Sequence, residues 1–175
     1  MKCRTDFVTN SSSSSFILNF SSEENILTEL AQSFASSNAE GFNIVINDVL
    51  KSKKYSVREV LEMVEDDERP RYWGDDIVRY TLDGLKDYAK WQVFDVNRNL
   101  CKFETMEDLY NWIDTDEGKE RTMAYYKDMI ARLYDLNQDS ILVGVEYEDH
   151  TDIGDKLEHE IMPELDQTVL VLHNH

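Results

Sequence analysis

All four histidines of the chain lie near its C-terminus, at His150, His159, His173 and His175. Carboxylates crowd the same segment: Glu146, Glu148, Asp149, Asp152, Asp155, Glu158 and Glu160. Imidazole together with carboxylate is the donor set of zinc, manganese and iron sites. His173 and His175 are two apart, so on a strand they share a face. His150, His173 and His175, with Glu146 or Glu148, are therefore the candidate metal ligands. A divalent ion, zinc or manganese, is the candidate cofactor. Glu158 and His159 are candidates for a further ligand or for a group that orients one. The competing reading is an exposed, frayed terminus beside a solvated acidic helix. No HExxH or CxxC spacing is present, and these are the spacings that mark metal sites most specifically.

A second stretch raises a chemical question. Residues 11–15 are five consecutive serines beside an apolar run. A phosphate-binding loop needs backbone N–H groups aimed at the anion, which glycine permits, and it opens a helix. This run has no glycine and precedes a strand-like segment. Serine competes for backbone hydrogen bonds and favours turns. The run is therefore expected to connect residues 6–9 to a strand at 16–20, with no single hydroxyl essential. No GxSxG elbow, GxxxxGK[ST] loop or GxGxxG loop occurs, so no residue is assigned a catalytic role.

The elements that must position these groups follow from periodicity. Residues 16–20, 42–46, 141–147 and 168–172 are short, apolar and rich in β-branched or aromatic side chains, and each is expected as a strand of one sheet. Residues 91–96 alternate and are expected as a further strand. Ser21 with Glu24, Ser56 with Glu59, and Thr105 with Asp108 have capping-box spacing and mark helix starts. Asp75 or Asp76 opens a helix through Leu82 and Leu85. Met123, Tyr126, Ile130 and Leu133 line one face of another, over 118–136. A helix over 153–162 between two strands suggests a parallel pair with a crossover. In that arrangement His150 follows the carboxyl end of one strand, Asn47 and Asp48 end another, and ligands gather at such an edge. The expected fold is α/β: a single layered domain, residues 1–175, with a mixed, partly parallel sheet and flanking helices. Residues 1–15 form its flexible or strand-connecting lead.

Composition narrows the function classes. The chain has 175 residues, 36 acidic and 18 basic, for a formal charge of −18. Affinity for nucleic acid rests on neutralising phosphates, so direct binding to it is not expected. No apolar run reaches the roughly 20 residues of a membrane span. A cytoplasmic protein is expected. Cys3 and Cys101 share no motif, and reduced thiols are the default.

The opening Phe7-Val8-Thr9-Asn10, the serine run and Phe16-Ile17 resemble the start of a set of uncharacterised bacterial proteins. Leu172-His173-Asn174-His175 resembles the histidine-rich tail with which some of them end. That resemblance implies no activity and transfers no site residue. The expected role is a small acidic binding or regulatory domain, with a protein as its candidate partner. The alternatives are a metal-dependent hydrolase and an acidic interaction protein or nucleic-acid mimic.

Overall fold

The computed structural model describes residues 13–34, 39–65, 76–100 and 103–174. The strand expected at residues 6–9, Ser11, Ser12, Cys3, Cys101, Asp75 and His175 lie outside them. Four strands form one antiparallel sheet in the order β2-β3-β1-β4. They are β1 (Ser13–Phe20), β2 (Lys54–Ser56), β3 (Ile141–Glu148) and β4 (Thr168–Asn174).

β1 is a central strand because it is apolar on both faces. Phe16, Leu18 and Phe20 pack to one side and Ile17 to the other, all fully buried. This decides the topology. β1 pairs antiparallel with both β3 and β4. β3 and β4 thus run in the same direction, as a crossover requires, but β1 lies between them. The expected parallel pair is replaced by two antiparallel ones. β4 also slips by one residue against β1 after Ile17, a bulge that increases local twist.

One face of the sheet carries α1 (Ile26–Ser33) and α2 (Ala39–Lys51). Ile26, Leu30, Val45 and Val49 meet Phe16, Phe20, Val143 and Val145 there. The other face carries α3 (Val57–Glu65), α4 (Ile77–Asn99) and, further on, α6 (Asp116–Met129) and α7 (Ala131–Tyr134). Val60, Leu82, Leu85, Tyr126 and Leu133 meet Ile17, Leu142 and Leu170. α5 (Met106–Ile113) buries Leu109 and Ile113. α8 (Asp152–Lys156) continues into a π-helical turn (Leu157–Ile161) and a 3₁₀ turn (Met162–Glu164) before β4.

Two expected strands are helical. Residues 42–46 lie within α2, where Gly41, Val45, Ile46 and Val49 are buried. Those spacings of four, one and three residues mark one face of a helix. The apolar Ile44-Val45-Ile46 run masked that longer period. Residues 91–96 lie within α4. Ala89, Val93, Phe94 and Asn97 are buried while Trp91 and Val96 are exposed, a period that alternation does not produce. The serines were expected as a connection, yet Ser13, Ser14 and Ser15 are the first residues of β1.

Capping follows the sequence at three of four sites. Ser56 and Glu59 bond reciprocally, as do Thr105 and Asp108, and Asp76 accepts from the Arg79 N–H. The Ser21–Glu24 box does not form. Ser22 is the cap residue of a 3₁₀ turn over Glu23–Asn25, and Ser21 instead bonds Glu29 through its N–H and hydroxyl.

Candidate functional site at the serine end of the sheet

The antiparallel register brings the two ends of the chain together. Ser13 lies opposite Glu148 on β3 and opposite Asn174 on β4. The serine run and the histidine-rich segment therefore share one end of the sheet. Side chains alternate along a strand, so this end has two chemically different faces.

On the α4 side lie Glu146 and Glu148. The Ser13 hydroxyl donates to Glu146 Oε1 at 2.9 Å. His150 Nε2 stands 2.8 Å from Glu148 Oε2, and both side chains are more than half exposed. On the α2 side lie Ser14, Tyr147 and His173. Ser14 pairs in register with both of the others. The sequence-derived ligand set is thus divided between faces: Glu146 and Glu148 on one, His173 on the other. Among the described residues no three or more His, Cys, Asp and Glu side chains gather to hold a metal.

Ser14 is the centre of the α2-side cluster and is fully buried. Its hydroxyl donates to Glu158 Oε1 at 2.7 Å. His173 Nδ1 lies 2.8 Å from the Ser14 hydroxyl oxygen. A hydroxyl has one proton and a carboxylate only accepts. With its proton given to Glu158, the Ser14 oxygen is left to accept from Nδ1 of His173. This order differs from a nucleophilic relay, in which the histidine stands between the serine and the carboxylate. Here the serine is the middle member and is closed to solvent, so its hydroxyl orients the other two groups.

Glu158 is the unusual member. It is fully buried and lies in the π-helical turn. Such turns are rare and occur often at functional sites. Its Oε2 is buried and has no hydrogen-bond partner among the described residues. His159 Nε2 lies 3.9 Å from that oxygen and 3.7 Å from Asp155 Oδ1. The chain reaches this position by an abrupt return after β3. The Thr151 hydroxyl accepts from the Gly154 N–H at 3.0 Å. A Cβ on Gly154 would stand 2.1 Å from the Glu148 carbonyl oxygen, so only glycine lets α8 start this close to the strand.

Tyr147 extends the cluster toward α2. Its hydroxyl donates to Asp48 Oδ2 at 3.3 Å. Burial drives the phenol's pKa far above its usual value, and the Asp48 charge and hydrogen bond add to the shift. Asp48 was expected at this edge as a strand end; it arrives there from helix α2. Sequence reasoning singled out His173, Glu158 and His159 but missed Ser14 and Tyr147. Only the strand register reveals those two, and register is not a local property of the sequence.

No helix among the described residues is long and apolar enough to cross a membrane. Set against protein-family models, curated proteins and solved structures, the chain matches none.

Proposed function

We propose that the protein is a small acidic binding or regulatory domain whose ligand-receiving centre is the Ser14–Glu158–His173 cluster. The observation that carries this reading is the Glu158 Oε2 atom, buried and without a hydrogen bond among the described residues. An unsatisfied buried acceptor costs about 1–3 kcal/mol, more when charged. A native fold that keeps one has a use for it or fills it with an ion or donor. The simplest occupant is a divalent cation. The 3.9 Å between Glu158 Oε2 and His159 Nε2 is close to the roughly 3.4 Å that two donors about 2.1 Å from one tetrahedral ion would keep. With two protein donors the ion retains water in its remaining positions, and affinity is modest.

The test is thermal unfolding of the protein, without a histidine tag, in the presence of added manganese or zinc. The wild type gains stability, by about 2.7 kcal/mol at a hundredfold excess over the dissociation constant. Glu158→Gln, which keeps an acceptor for Ser14 but removes the charge, gains none. A wild type indifferent to both metals, or an equal response in the variant, refutes the site.

A further inference from the structure

A second site of opposite character lies between α4, α5 and α6, remote in sequence from the serine end. Lys86 and Lys90 are one turn apart on α4, and Lys119 closes the first turn of α6. All three line a cleft of about 550 Å³, within the roughly 300–1,000 Å³ of small-molecule sites. The cleft forms because α6 starts hard against the end of α5. A Cβ on Gly118 would stand 2.4 Å from the Trp112 carbonyl oxygen and 2.6 Å from Ile113 Cα.

The charge balance of this cleft departs from that of the chain. Acidic residues outnumber basic ones 36 to 18 overall, yet here three lysines face two acids, Asp114 and Glu120. Asp114 is already engaged: Lys90 Nζ stands 2.7 Å from its Oδ1. That hydrogen bond and the lysine's charge hold the Asp114 carboxyl below the usual carboxylate range. Lys119 makes no ion pair among the described residues. Ile113 and Met123 complete the lining with apolar surface. Ammonium groups above an apolar wall suit a ligand with an anionic head and a short apolar body. In an otherwise acidic field, three lysines in one cleft offset part of the repulsion a small anion meets.

We propose that this cleft binds a small amphipathic organic anion, a phosphate or carboxylate bearing a short alkyl or aryl group. The proposal is independent of the cation site at the serine end. The test is a titration of ¹⁵N-labelled protein followed by amide chemical shifts, with hexyl phosphate, hexanoate, inorganic phosphate and hexanol as probes. Expected is a saturable response to hexyl phosphate or hexanoate, confined to amides of residues 86–90 and 113–123. Which of the two binds more tightly identifies the head group. Inorganic phosphate binds more weakly and hexanol gives no saturable response. The Lys86→Gln/Lys119→Gln variant binds about tenfold or more weakly, a loss of about 1.4 kcal/mol, with an unchanged amide spectrum elsewhere. Lys119→Arg retains binding. The proposal is overturned if neither anion saturates on the wild type, if hexanol binds as well as they do, or if the double variant binds them unchanged.

Discussion

The serine end of the sheet and the lysine cleft are built in opposite ways. At the serine end the partners come from far apart: Ser14 and Glu158 are 144 residues distant and Ser14 and His173 are 159. Long-range packing holds them, Ser14 and Glu158 are fully buried, and the distinctive group is an acceptor lacking a hydrogen-bond partner among the described residues. In the cleft the residues fall on neighbouring helices, the lining is open to solvent, and the distinctive groups are donors. Long-range register can place a buried polar atom where no local pattern would, while local helix geometry can only gather what repeats at helical spacing.

The strongest way to break that contrast is to remove the close approach that each region needs. Gly154→Ala places a methyl against the Glu148 carbonyl. Overpacking of this kind costs about 3 kcal/mol at such a distance, and the metal response should disappear with it. Gly118→Ala meets the α5 backbone and should cost about 1–3 kcal/mol, abolishing hexyl phosphate binding while sparing the metal response. Urea unfolding with each probe present measures both. Loss of both responses in each variant would mean that the two regions are one cooperative unit, and the contrast would fail.

A smaller effect sharpens the account of the serines. Ser14→Ala removes the one hydrogen bond that the described residues make to Glu158 Oε1. A bond to a charged group contributes about 1.5–3 kcal/mol, so a loss of about 2 kcal/mol is expected. Ser13→Ala, whose bond to Glu146 is exposed, should lose less than about 0.5 kcal/mol, in line with surface substitutions generally. Equal losses in denaturant titrations would show that the run acts only through strand propensity.

How much of this was legible in the sequence depends on which residues carried local signals. The strands at 16–20 and 141–147 and the boxes at Ser56–Glu59 and Thr105–Asp108 were, because period and capping chemistry are local. Residues 42–46 were not: three adjacent apolar residues fit a strand as well as a helix, and only Gly41 and Val49 beyond them settle the period. The antiparallel order was not legible either, since nothing within β3 or β4 states that β1 lies between them. The histidine-rich segment and its acids fall at one end of the sheet. Their concentration could not tell that Glu146 and His173 occupy opposite faces, because that follows from pairing. The lysine cleft left no trace as a cluster, its members being at positions 86, 90 and 119 in different helices.

Titration gives a further handle on the buried region. Tyr147 keeps its proton in the folded state well above the pH near 10 at which an unfolded tyrosine loses it. The unfolded state is therefore favoured as pH rises past 10, and no such contribution exists below it. Stability should fall there by up to about 1.4 kcal/mol per pH unit from this group. Tyr147→Phe should remove that part of the slope. Comparing wild type and variant by chemical unfolding between pH 9 and pH 11 measures it. Parallel curves would show that Tyr147 is open to solvent and that the α2 side of the serine end is not packed as described.

The central claim is that Glu158 receives a cation at the serine end. Anomalous diffraction from a crystal grown with manganese tests it most directly. The account predicts one peak within about 2.3 Å of both Glu158 Oε2 and His159 Nε2, a separation set by metal–oxygen and metal–imidazole bond lengths. A map with no peak there, or with density only at the exposed His150–Glu148 pair, would contradict it.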